Sequence, residues 1–235
     1  MFGLFKKNKL PKLYHEAEIA LLEHHINKHF GHFENVMHEM VSPDIHVDVI
    51  LVEPSAERNY YTLVTMGMGA HTQNAPKGYD EHIELFICLP ADWDIKSSAD
   101  GDFWPIGLLK FLARLPIGNN TWLGYGHTIP NITQINGKLT EFPYASNTKL
   151  SGAIITHPTQ FPEESHVCKI PTGKNVRFFQ VVPIYPEEMD AKLIHGADAL
   201  LKLFDYARPV DINRKLAVKT AEEIQKEIEE MKKKM

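Results

Sequence analysis

Cysteine is almost missing from this chain: Cys88 and Cys168 are the only two among 235 residues. Neither stands in a motif that marks a catalytic thiol, and two thiols without a motif suit a reducing cytosol. Cys88 sits inside an apolar β-rich run and reads as a small buried hydrophobe. Long apolar stretches are missing too. No uninterrupted run reaches bilayer length. Near the N-terminus, Lys6, Lys7 and Lys9 follow only five residues, which leaves no core for a signal peptide. The expectation is a cytoplasmic protein with no membrane span. Excess positive charge is absent as well: 25 Lys and Arg stand against 30 Asp and Glu, a net charge of -5. That balance gives no reason to expect a nucleic-acid surface.

Catalytic and nucleotide motifs are likewise incomplete. Gly67-Met68-Gly69 and Gly124-Tyr125-Gly126 are fragments of glycine-rich loops. Neither completes GxGxxG, and neither is followed by the Lys and Ser/Thr of a phosphate loop. Glycines at strand ends serve turns and bulges. No GxSxG elbow occurs. Asp92 and Asp94 flank Trp93 in a loop, where two acids make turn and cap contacts rather than an acid–base pair. His25, His29 and His32 share one side of a helical segment at i, i+4 and i+7. Two histidines at that spacing can hold zinc. The zinc-protease motif needs Glu directly after the first His, and Ile26 stands there. No metal and no cofactor are expected.

What the sequence does contain is a series of well-marked elements. Leu22, Ile26, Phe30, Phe33, Met37 and Met40 recur at three and four, predicting helix with a kink or joint at Gly31. Residues 46–53 (HVDVILVE), 60–66 and 82–89 read as strands. The last of these is nearly continuous in apolar residues, as in a central strand covered on both faces. Asp102 can cap a helix from Phe103 to Leu115 that is apolar nearly all round and therefore expected to be largely covered. Residues 116–150 predict a strand near Trp122 to Ile129 and irregular structure beyond it. Strands follow at 152–156, 166–170 and 176–184. Pro186 starts a helix with a stripe of Met189, Leu193, Ala197, Leu200, Phe204 and Ala207, stopped by Pro209. The tail from Val218 carries Glu–Lys pairs at i, i+4 and an Ala/Ile/Met stripe. It reads as a solvated helix docked on its own domain, or as a short coiled-coil contact. The order is not a strict βα alternation, so the fold class is α+β with a mixed, mainly antiparallel sheet.

Several of these segments resemble one family in succession: HVDVILVEPSAERNYYTLVTMGMG at 46–69, ELFICLPADW at 84–93, WPIGLLKFLARLP at 104–116, WLGYGHTIPN at 122–131 and FFQVVPIYPEEM at 178–189. Together they span roughly residues 15 to 208 and resemble the bacterial members of the Suppressor of Fused domain family. The resemblance implies an α+β domain at 13–210, between a basic N-terminal tail at 1–12 and a charged C-terminal helix at 211–235. It implies no catalytic residues. Animal members of the family act as adaptors that sequester a transcription factor. Bacterial members resemble immunity proteins of polymorphic toxin systems.

The expectation is thus a non-enzymatic protein-binding domain, an immunity protein or antitoxin that occludes a cognate toxin. Its partner is a protein, with no nucleic acid and no membrane. Aromatic and loop placement points to Tyr60, Tyr79, Asp92, Trp93, Trp122, Tyr125 and His127 as partner contacts on one loop side. An exposed edge strand offers a second mode of contact. Three alternatives remain at this level: a metal protein or enzyme using His25, His29 and His32, a regulatory adaptor, and a dimer joined through 218–235.

Overall fold

The computed structural model describes residues 12–42, 44–220 and 229–230. The first helix, α1, spans Glu16–His29 and buries Leu22 and Ile26. The Glu18 carboxylate accepts from His15 N at 2.9 Å, closing the helix start. Gly31 stops the helix, because it adopts φ +127° and a Cβ there would meet Val52 Cγ1 at 2.8 Å. The chain beyond it is strand rather than the second half of a helix: β1 is Phe33–Met37 and pairs antiparallel with β2, Asp48–Val52. The helical spacing was mimicked by a register break between Phe33 and Asn35. That bulge resets the alternation, so Phe33 and Val36 pack on the same face. Met40, the last residue of the expected stripe, is 92% exposed.

Strands β3 (Tyr60–Met66) and β4 (Ile83–Pro90) continue the antiparallel run. Helix α2 follows at Asp100–Gly118, longer at both ends than the sequence suggested and with Ala99 rather than Asp102 at its cap. Three short strands come next: β5 at Thr128–Pro130, β6 at Ile132–Ile135 and β7 at Lys138–Glu141. Then come β8 at Gly152–Thr156, β9 at Val167–Lys169 and β10 at Asn175–Ile184. The main sheet is ordered β1-β2-β3-β4-β10-β8-β5, with β9 also on β10. Among the described pairs, only β4 with β10 is parallel. The fold is therefore α+β with a mixed, mainly antiparallel sheet.

Both faces of the sheet are covered, which explains the unbroken burial of β4 from Ile83 to Leu89. Leu85, Ile87 and Leu89 meet Trp104, Leu109 and Leu112 of α2. Phe86 and Cys88 meet Leu22, Ile26 and Phe30 of α1 together with Phe161 and Phe178. Farther along that second face, α3 (Pro186–His195) and α4 (Ala197–Leu201) cover Ile154, Val182 and Ile184 through Met189, Leu200 and Leu201.

Other expectations are corrected. The helix from Pro186 is broken at Gly196, φ +87°, and Leu193, placed in its buried stripe, is 69% exposed. Helix α2 is not wholly covered, since Phe103 and Phe111 are 48% and 54% exposed. Trp122 to Gly126 is loop, and only Thr128–Pro130 is strand. The stretch taken as irregular holds the β6–β7 hairpin, turned by Asn136 and Gly137 at φ 50° and 79°. Residues 211–220 are not helical. Most of the tail helix expected from 218 to 235 lies outside the described residues.

Candidate functional site

The glycine fragment at 67–69 has an internal use. Glu84 is 1% exposed at the centre of the sheet. Its carboxylate accepts from Gly67 N at 3.0 Å, Gly69 N at 2.9 Å, Tyr14 Oη at 2.8 Å and Thr65 Oγ1 at 2.5 Å. Burial pushes the Glu84 pKa up, and the four donors oppose that shift. Gly69 is required because a Cβ there would collide with Tyr14 Oη. The loop that resembles an anion cradle is thus filled by the chain's own carboxylate.

The histidine stripe keeps His25 beside His29, their ring centroids 4.6 Å apart on α1, and loses His32. His25 is buried, with Nε2 bonded to Ser165 O at 2.9 Å and its ring stacked 5.1 Å from Phe178. Burial holds its pKa below the ordinary range. His32 lies beyond the end of α1 and meets Asn27 Oδ1 at 3.2 Å. Among the described residues, no group of three His, Cys, Asp or Glu side chains is placed to hold a metal ion. Cys88 is fully enclosed, and burial raises its pKa to about 11, which leaves it a poor nucleophile.

The seven expected contact residues do not share one side. Tyr60 opens β3 opposite Pro90, the last residue of β4. Asp92 and Trp93 follow β4, so these three stand at its C-terminal end. Trp93 is half-buried, donates Nε1 to Asp102 O at 2.9 Å and lies edge-on to Trp104 at 6.0 Å. It acts as a lid on the α2 core. Asp92 is exposed. Burial pushes Tyr60 up to about 12.

Tyr79, Trp122, Tyr125 and His127 gather at the opposite end, beside the start of β4. Tyr79, 58% exposed, lies 4.6 Å from the Trp122 ring, and Trp122 meets His127 edge-on at 4.2 Å. Tyr125 stacks on His157 at 4.6 Å, and its hydroxyl donates to Asp198. Burial first, then the Lys192 charge, holds His127 below the ordinary histidine range. Burial and Arg177 do the same to His157. At neutral pH the cluster is therefore aromatic and uncharged, bordered by the Arg177–Asp80 ion pair at 2.7 Å.

One residue that sequence reasoning passed over positions this cluster. Gln73 is 7% exposed. Its Nε2 donates to Asp80 O at 2.7 Å and Leu123 O at 2.8 Å, and its Oε1 accepts from Leu123 N at 2.9 Å. One amide thus ties the loop carrying Tyr79 to the loop carrying Trp122. Gly124 lets the second loop fold tightly, since a Cβ there would meet Trp122 Cζ3 at 2.6 Å.

A second missed pair is Glu188 and Arg214. Glu188 is fully buried in the first turn of α3, and both its oxygens accept from Arg214. They also take Tyr185 N at 3.0 Å and Ala217 N at 2.9 Å. The Arg214 guanidinium lies 4.8 Å from the Tyr185 ring and 4.4 Å from that of Phe204. This clasp fastens the segment after residue 210 to the sheet.

The chain is an α+β domain with a sheet covered on both faces, a glycine loop closed on an internal carboxylate, and Tyr79 and Tyr125 exposed at one end of the sheet. The family model described as Suppressor of fused protein (SUFU) matches residues 43–215, most of the chain. The chain belongs to that family. The "Uncharacterized protein UU111" of Ureaplasma parvum serovar 3 is 27% identical over 212 residues, covering 88% of this chain and 98% of that protein. Solved structures share the fold. A SUFU homolog from Neisseria gonorrhoeae superposes with a TM-score of 0.59 at 20% identity, covering 88% of this chain and 98% of that one. A chain of the Sufu-Fu complex gives 0.57 at 14% identity, covering 88% and 92%. Drosophila Suppressor of Fused gives 0.53 at 13%, and the match spans 92% of this chain but only 54% of that protein. Among the described residues no helix is long and apolar enough to cross a membrane.

Proposed function

We propose that this chain is a cytoplasmic, non-enzymatic protein-binding domain that acts as an immunity protein, covering the active site of a cognate toxin. The observation that carries the reading is the Tyr79–Trp122–His127 cluster with Tyr125 on His157. Tyr and Trp are the side chains most enriched at binding hot spots, and a rigid mount lowers the entropy lost on docking. Gln73 supplies the rigid mount. Asp92 and Trp93, at the other sheet end, form a separate surface beside residues 208–212. The primary partner surface is the Trp122 end.

A second reading is an adaptor that sequesters a regulatory protein. It is favoured by the complex with Fu formed by a protein of the same fold. The two readings part in one experiment. The chain is co-expressed with the toxin domain encoded beside its gene, and growth is scored. Rescue by the wild type, lost in Trp122→Ala, supports immunity. Absence of rescue, or absence of such a neighbouring gene, removes the immunity reading and leaves the adaptor.

A further inference from the structure

Helix α2 buries Trp104, Leu108, Leu109 and Leu112, yet it carries two phenylalanines on its outer side. Phe103 is 48% exposed and Phe111 54%. Gly107 stands midway between them and is exposed too. Glycine in a helix interior weakens the helix relative to alanine. Nothing within the chain requires it here, since a Cβ on Gly107 would meet no atom within 4 Å.

The outer row is complementary to itself when reversed. Phe103 and Phe111 stand four residues to either side of Gly107, and Asp100 and Arg114 stand seven. At 3.6 residues per turn, these five positions fall within about 80° of the helix circumference. A second copy laid antiparallel across Gly107 sets each Phe103 against Phe111 of the other copy. With no Cβ at the crossing, the two helix axes can approach to about 8 Å, the short end of the packing range, and the rings close on both sides.

Charge selects the direction. Asp100 and Asp102 lie in the first turn of α2, and neither has an ion pair among the described residues. Parallel copies would crowd four such carboxylates together. Antiparallel copies separate them and bring each set beside Lys110 and Arg114 of the other copy. Those two cations already hold Glu39 and Asp44 of their own chain, at 3.7 Å and 3.1 Å, so that end is balanced rather than acidic. Arg114 also holds Glu39 at 2.5 Å, which places Met40 and Val41 at this end of the row. They are 92% and 79% exposed and extend the apolar surface.

We propose that this face is the interface of a homodimer, in which α2 packs antiparallel on α2 of a second copy about a two-fold axis at Gly107. The dimer does not depend on the protein partner proposed above. One helix pair with a loop edge makes a small interface, so the expected Kd is on the order of 10 μM.

Sedimentation equilibrium of the full chain, from about tenfold below to tenfold above that value, should show the mass rising from 26.8 kDa toward twice that. Phe111→Asp should weaken association tenfold or more. Gly107→Ala should weaken it about tenfold yet raise the urea midpoint of the dilute, monomeric chain, because alanine favours helix and its Cβ has room there. A folding defect cannot produce those two opposite effects. Orientation is read by mixing Phe103→Cys and Phe111→Cys chains under oxidation. The mixed disulfide should form in preference to either homodimer. A chain that stays monomeric across the range overturns the proposal. So does a dimer whose affinity both Phe111→Asp and Gly107→Ala leave unchanged, or cysteine variants that cross-link only to their own kind.

Discussion

Replacing Arg214 by Ala tests whether the segment beyond residue 210 is part of the folded unit. Arg214 makes two bonds to Glu188, one to Pro183 O and one to Lys215 O. Removing it leaves a carboxylate with 0% exposure that retains only the backbone donors of Tyr185 and Ala217. Breaking a buried pair from one side costs about 3–5 kcal/mol. The lost stacking on Tyr185 and Phe204 adds about 1 kcal/mol. A domain of this size is stable by about 5–15 kcal/mol, so the variant should lose about a quarter or more of its stability. Urea denaturation followed by tryptophan fluorescence reads the change as a shift in midpoint at constant slope. The double variant Arg214→Met, Glu188→Gln should recover more than half of the loss, because no unpaired charge remains. A cost of less than about 1 kcal/mol for Arg214→Ala would refute the reasoning, since that is the value of an exposed ion pair.

Other outcomes follow from the same kind of argument. Glu84→Gln turns one acceptor oxygen into a donor facing donors and should cost about 1–3 kcal/mol in the same assay. Gln73→Ala should leave the global midpoint within about 2 kcal/mol yet accelerate amide exchange at residues 74–80 and 120–126, read by mass spectrometry. Burial depresses His25, His127 and His157 in the folded state. Their unfolded pKa is about 6.5, so the folded state takes up protons less readily than the unfolded one. Stability should be full above that value and fall as pH drops from about 6.5 toward 5. Urea midpoints that are flat across this window would contradict the assignment.

The sheet strands were legible because burial on one or both faces writes a clear apolar pattern, as in Leu85 to Leu89. The failures share one physical cause. Periodicity does not distinguish a helix from a strand whose alternation is reset by a bulge, which is why Phe33 to Met37 read as helix. Gly31 and Gly196 hold positive φ and so end elements that the apolar spacing would continue. Asn136-Gly137 was a readable hairpin signal that the surrounding polarity obscured. At the candidate site, the residue types were visible but their grouping was not. Tyr60 and Tyr79 are close in sequence, yet β3 and β4 carry them to opposite ends of the sheet. Gln73 and the Glu188–Arg214 pair act across 50 and 26 residues, a separation over which local pattern carries no signal.

The central claim is that the Trp122 end of the sheet is where this domain holds its protein partner. The most direct measurement is the affinity of that partner, by calorimetry, for the wild type, Trp122→Ala, Tyr79→Ala and Asp92→Ala. A hot spot of this kind predicts at least a tenfold loss, about 1.4 kcal/mol or more, for Trp122→Ala and Tyr79→Ala. Asp92→Ala should bind as the wild type does. Unchanged affinity at Trp122 and Tyr79 with a loss at Asp92 would contradict the account and move the interface to the other end of the sheet.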